Sequence, residues 1–207
     1  MNLLENIHFI NLTTILKNYN EHIEGNLICD IRPDNYILLN NYAKILNIQL
    51  LVKNKKKIIE IGINACHSLL LMLLVNPDAE YLLFDINIHS YTEPTLNYIK
   101  NAFPNTKFTI IYGDSVQTIK EYINNNISEL NTYDFCHIDG GHMEYVFNSD
   151  YENIKKLANK DSIIVFDDYD NPHIYNFLNN KLLKNEIIKY KQNNILDTDK
   201  HLIYNYI

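Results

Sequence analysis

Hydrophobic and polar positions alternate in two different textures along this 207-residue chain. Up to residue 56, "LLENIHFINLTTILKNY" and "DNYILLNNYAKILNIQLLVK" carry apolar residues at helical spacing, the second behind Asp34, a cap candidate that follows Pro33. Both read as helices, and no strand pattern is visible before Lys57. From Lys57 onward the texture changes to short β-branched or aromatic runs, "KIIEI", "YLLFD", "FTIIY", "YDFCHI" and "SIIVF", separated by helix-length amphipathic segments. Alternation of this kind predicts a parallel sheet covered by helices on both faces.

After Phe166 the pattern changes again. "PHIYNFLNNKLL" predicts a helix, and "EIIKYK" and "HLIYNYI" predict two strands joined by a connection too short to hold a crossover helix, so these strands should pair antiparallel. The expected fold is α/β: a mostly parallel seven-stranded sheet that ends in an antiparallel C-terminal hairpin, with helices on both faces. Residues 1–56 form an N-terminal helical extension, expected to act as a lid, and residues 57–207 form the main domain.

Composition narrows the possible partners. Acids outnumber bases 25 to 18, for a formal charge of −7, which argues against nucleic acid, whose phosphates are bound by displacing counterions with Lys and Arg. The basic cluster "KNKKK" reads as a solvated loop. The longest greasy run, "LLLMLLV", is far short of a membrane span, and the start of the chain lacks a basic segment followed by an apolar one. Cys29, Cys66 and Cys136 have no metal-type spacing, which suits reduced thiols in a cytoplasmic setting. A small-molecule or sugar partner is expected, with no membrane and no nucleic acid.

In open α/β sheets ligands bind beyond the carboxyl ends of the strands, so the residues that end each run carry the chemistry. Here the runs end in "IEIGINACHS", in Asp85, in "YGDS", in "HIDGGH" and in "FDDYD". The first turn lacks the G-x-G-x-x-G and G-K-[ST] patterns, which weakens NAD and ATP as ligands, and a bland reading, Gly62 for the turn and Ser68 as a helix cap, accounts for it as well. Asp85 suits the two hydroxyls of a ribose. Asp139, Asp167 and Asp168 put three carboxylates near one point, where like charges raise one another's pKa unless a cation lies between them. Oxygen ligands of this kind suit Mg²⁺ or another hard divalent cation. Taken alone, "DDYD" is equally a solvated loop. His142, after Gly140 and Gly141, is either a base poised beside such a site or a cap on the helix that begins near Glu144. The doublets Cys66-His67 and Cys136-His137 read as structural or cofactor-lining.

Together "KIIEIGINACHSLLLMLL", "FDINIHSYTEP", "IYGDSVQTI", "HIDGGHMEYVFNSDYENI" and "IIVFDDYD", in this order and spacing, resemble the class I S-adenosylmethionine-dependent methyltransferases with their Rossmann-like fold. The closest set is the metal-dependent O-methyltransferase group that includes enzymes acting on the sugar hydroxyls of macrolides and glycosides. The resemblance covers Lys57 to Asp170 and, more loosely, the closing hairpin. It implies that Glu60, Gly62, Ala65 and Ser68 frame the methionine part of the cofactor, with Asn64 in the same loop. It also implies that Asp85 takes the ribose, that Asp114 and Ser115 lie by the adenine, that Asp139, Asp167 and Asp168 hold Mg²⁺, and that His142 is the general base, with Asp139 beside it in the catalytic pair. Tyr36 is the expected acceptor contact from the N-terminal part. In folds of this kind homodimers are common. One departure stands out: the family's first loop usually carries a second glycine where this chain has Cys66, a side chain in position to crowd the cofactor.

The expectation is therefore an S-adenosylmethionine- and Mg²⁺-dependent O-methyltransferase for a small hydroxylated acceptor, a sugar first and a catechol-like ring second. A catalytically degenerate binding module that excludes cofactor through Cys66 is the alternative from another class. A metal-dependent phosphoester hydrolase is the third reading, and it leaves Gly62, Asp85 and "GDS" unexplained.

Overall fold

A computed structural model describes residues 3–23, 29–32, 35–38 and 41–207. Its centre is a seven-stranded sheet. Five strands, β3 (Lys57–Ile61), β4 (Glu80–Asp85), β5 (Lys107–Tyr112), β6 (Tyr133–Ile138) and β7 (Ala158–Asp167), run parallel. The sheet is completed by β8 (Ile187–Lys189) and β9 (His201–Tyr206), which pair antiparallel, with β9 also antiparallel to β7. The spatial order β5-β4-β3-β6-β7-β9-β8 reverses direction between β3 and β6. Two adjacent parallel strands whose chains leave in opposite directions open a crevice at their carboxyl ends. The residues that follow β3 and β6, Gly62 and Asp139, lie at that crevice.

Side chains alternate across a strand, so each strand feeds both faces. Ile58, Tyr81, Leu83, Phe135, Val165 and Ile203 point to one face and pack with α1 (Ile7–Leu16), α2 (Tyr42–Val52), α3 (His67–Leu73) and α4 (Thr92–Ala102). Ile59, Ile61, Leu82, Phe84, Cys136, Ile138, Ile164 and Phe166 point to the other and pack with α5 (Ser115–Asn125), α6 (Glu144–Leu157) and α7 (Pro172–Leu183). Every residue of α3 is buried, as "HSLLLML" requires of a helix enclosed on all sides. At α7 the start signal is explicit: the Asn171 side chain accepts from the backbone of His173, and Pro172 sits in the first turn.

The N-terminal region departs from the sequence reading. Residues Cys29–Arg32 (β1) and Asn35–Leu38 (β2) form an antiparallel hairpin, with Cys29 opposite Leu38 and Arg32 opposite Asn35. The long helix expected from Asp34 begins only at Tyr42. Two local signals favour the hairpin. A residue before proline, here Arg32, is driven toward extended backbone, and "NYIL" suits a strand as well as a helix once a partner strand is present. Asp34, with its expected cap, and the Tyr36 side chain lie outside the described residues. Phe9, Leu12, Leu16, Ile48, Leu51 and Val52 share one core with Leu69–Leu73, so α1 and α2 belong to the same helical layer as α3 and α4. Among the described residues no helix is long and apolar enough to cross a membrane.

Candidate active site

The crevice is formed by close backbone contact. Gly62 takes φ +83°, and a Cβ there would stand 1.9 Å from the carbonyl oxygen of Asp139, so only glycine fits. Two cavities meet at this point and share Gly62, Asn64, Asp139, Gly140 and Gly141 in their walls. One, of about 450 Å³, is further lined by Ala65, His67, Ser68, His142 and Asp168. The other, of about 270 Å³, runs past Asp85 to Asp114 and Ser115. Of the residues expected to hold a cofactor, Gly62, Asn64, Ala65, Ser68, Asp85, Asp114 and Ser115 thus line one continuous cleft, while Glu60 lines neither part.

Asp85 ends β4 nearly buried, and both its oxygens are in use: Oδ2 accepts from the Asn64 backbone at 2.9 Å and Oδ1 from the Asn87 backbone at 2.7 Å. It therefore ties the first loop to the second as well as facing the cavity. Asp114 caps α5, accepting from the backbone of Val116 at 2.9 Å. Beside them Ile86, Ile88, Met143 and Tyr145 are large apolar side chains left exposed, and all four line the smaller cavity. No motif pointed to these four. Such side chains form an apolar wall suited to an aromatic base.

Cys66 does not obstruct the cleft. It adopts φ +61°, the left-handed conformation that glycine would take more easily, and its buried thiol turns into the core, where Thr95 Oγ1 donates to the sulfur at 3.7 Å. Burial pushes this thiol far above its ordinary pKa, so it is an inert core group.

At the other end of the cleft the charged groups converge. Glu60 and His137 are paired across β3 and β6, and period two places Gly62 and Asp139 next along the same face. His137 Nδ1 lies 3.0 Å from Glu60 Oε1, both fully buried, and His137 Nε2 lies 4.0 Å from Asp167 Oδ2. Ligand atoms of His137, Asp139 and Asp167 all fall within 4.8 Å of one another. Asp168, in left-handed backbone at φ +53°, stands beside this trio, and its Oδ2 meets His142 Nε2 at 2.6 Å. Lys44 reaches in from α2 and bonds Asp167 Oδ2. Lys44 and His137 are the participants that sequence reading missed.

Electrostatics at this end are unbalanced. Burial, reinforced by the neighbouring charge of Asp167, pushes the Asp139 carboxyl well above the usual carboxylate range. Burial works the same way on Asp167, but Lys44 and His137 outweigh it and hold that carboxyl below its ordinary value. Burial alone would lower the Lys44 ammonium; Asp167, Asp139 and Asp168 reverse this and hold it high. One ammonium thus faces three carboxyl groups, Asp139, Asp167 and Asp168. Asp167 Oδ1 and His137 Nε2 are buried without a hydrogen-bond partner among the described residues. Carboxylates in excess and orphaned donor atoms fit a hard divalent cation.

Comparison with known proteins gives the family and the fold. The family model described as O-methyltransferase matches residues 33–199. A curated relative named as a probable caffeoyl-CoA O-methyltransferase of Arabidopsis thaliana is 30% identical over 126 residues, 60% of this chain and 53% of the relative. The chain spans about half the length of the curated relatives it matches. Among solved structures, the O-methyltransferase TomG of Streptomyces achromogenes, involved in tomaymycin synthesis and solved with SAM, superposes with a TM-score of 0.67 at 12% identity, covering 98% of this chain and 90% of that one. An O-methyltransferase from Bacillus cereus solved with SAH gives 0.61 at 14% identity, covering 82% of each chain. These likenesses to solved structures establish the Rossmann-like methyltransferase fold.

Proposed function

From the O-methyltransferase family, to which this chain belongs, we propose that the protein transfers a methyl group from S-adenosylmethionine to a hydroxyl of a small acceptor with vicinal hydroxyls, a sugar or glycoside first. The observation that carries this reading is the junction of two sites at Asp139: a cleft from Ser115 to Gly62 on one side and the acid cluster on the other. Ala65 and Ser68 border the methionine end of the cleft, Asp85 suits the ribose hydroxyls, and Ile86, Ile88, Met143 and Tyr145 suit the adenine.

Mg²⁺, or another hard divalent cation, would be held by Asp139, Asp167 and His137, whose ligand atoms converge, with Asp168 beside them, and when bound it would lower the pKa of a chelated acceptor hydroxyl. His142 is the base. Asp168 Oδ2, 2.6 Å from its Nε2, stabilises the imidazolium once the proton has moved. Gly140 and Gly141 let an acceptor approach the backbone at the meeting point of the cavities. The protein's further contribution is alignment of oxygen, methyl carbon and sulfur, which can supply roughly 7–11 kcal/mol of the barrier.

A catechol-like ring is the second reading, favoured by the caffeoyl-CoA name of the relative. A cofactor-excluding module is disfavoured by the inward-turned Cys66 thiol. We place the enzyme in the cytoplasm, where the buried free thiols Cys66 and Cys136 stay reduced. The test is transfer of labelled methyl to glycosides and catechols with and without EDTA. Loss on chelation and recovery with Mg²⁺ is the expected result; transfer indifferent to EDTA would remove the cation, and no transfer at all would remove the enzyme reading.

A further inference from the structure

Lys44 stands where the acid cluster would otherwise receive a metal ion. It projects from α2 with about a tenth of its side chain exposed and bonds Asp167 Oδ2, the oxygen that also lies 4.0 Å from His137 Nε2. Its charge is felt by Asp139 and Asp168 as well. The helix that delivers it is pinned in place. Asn47, one turn further on and nearly fully buried, exchanges two hydrogen bonds with the backbone of Leu196, both at 2.9 Å, and lies 3.1 Å from His201 Nε2. His201 in turn is paired with Asp167 across β7 and β9. The ammonium is therefore held at the cluster by design of the fold, while its four-carbon stem leaves it free to withdraw without moving α2.

We propose that Lys44 is a tethered counter-cation that competes with a divalent metal ion for Asp167, and so sets how tightly this protein holds its metal. This rests on the reading of Asp139 and Asp167 as metal ligands. A 2+ ion and an ammonium cannot share one carboxylate oxygen at contact distance without strong repulsion, even with partial screening. Metal entry therefore displaces the ammonium from Asp167. A side chain without charge at position 44 removes the competitor and leaves the carboxylates fully available. The orphaned Asp167 Oδ1 and His137 Nε2 are the donor atoms already turned to receive the ion.

The experiment is Mn²⁺ binding to the full chain, followed by electron paramagnetic resonance of free Mn²⁺, for the wild type, K44M, K44Q and K44R, with folding checked by circular dichroism. Wild type should bind weakly, K44M and K44Q at least about tenfold more tightly, and K44R no more tightly than wild type. D167N in the K44M background should lose the gain, which assigns it to this cluster. Two neutral variants guard against one failing to fold. Equal or weaker binding by both, with wild-type binding intact, overturns the competition and leaves the metal reading standing. Binding in none of the proteins overturns the metal reading and the competition with it.

Discussion

Gly62 and Asp139 meet across the crevice so closely that the missing side chain of one is the space for the carbonyl of the other. The Asp139 backbone N–H donates to the Ile61 carbonyl at 2.9 Å, which extends the β3–β6 ladder to the point where the two chains part. Both cavities touch this pair. The positions of the first loop and of the acid cluster are thus set by one backbone contact.

Replacing Gly62 with alanine should break that contact. A Cβ 1.9 Å from the Asp139 oxygen forces the strand ends apart, and φ +83° adds strain for any L side chain. The expected loss is roughly 3 kcal/mol or more in urea unfolding, with S-adenosylmethionine binding abolished in calorimetry. A stable G62A protein with normal binding would contradict the geometry.

Asp85 offers a test of the cleft wall. In D85A the backbone N–H groups of Asn64 and Asn87 lose their acceptor, which should cost roughly 2–4 kcal/mol and loosen the loop that faces the cleft. S-adenosylmethionine affinity should fall by more than about tenfold. Stability lost with affinity retained would confine Asp85 to a structural part.

Much of this arrangement was legible beforehand. The strands 133–138 and 57–61 and the helix 172–183 could be read because buried parallel strands are continuous apolar runs and helices carry their own caps. His137 shares a face with Asp139 by the period of two, yet beside Cys136 it read as structural or cofactor-lining, because the sequence does not show that Asp167 comes to the same point. Lys44 was not legible, because it stands 123 positions from Asp167, inside an ordinary amphipathic helix, and only the packing of α2 brings them together. The hairpin of β1 and β2 was hidden because "NYIL" fits either period, and pairing with the neighbouring segment Cys29–Arg32 decided it.

His142 should separate catalysis from binding. In H142Q the partner of Asp168 keeps a hydrogen-bonding group but loses its titratable nitrogen. Turnover should drop by about 10²–10⁴-fold while calorimetric affinity for S-adenosylmethionine stays within a factor of about two. Undiminished turnover would show that another group takes the proton.

Asp150 makes stability depend on pH. It lies on α6 beneath Gly140, fully buried, with no hydrogen-bond partner for either oxygen among the described residues. Burial pushes its carboxyl up to about 7, with the nearby Ser115 hydroxyl offsetting part of the effect and Asp114 adding to it. Because the folded value lies above the unfolded one, the folded state binds the extra proton in between. The contribution to stability is therefore complete below pH about 4, declines as pH rises toward 7, and is gone above it. The full swing is at most about 4 kcal/mol, from roughly three pKa units at 1.36 kcal/mol each. An asparagine cannot titrate, so D150N should remove this slope. Urea unfolding at pH 5 and pH 8 should show wild type losing stability relative to D150N by roughly 2–4 kcal/mol as pH rises, and parallel changes in the two proteins would mean that the Asp150 carboxylate is ionised throughout.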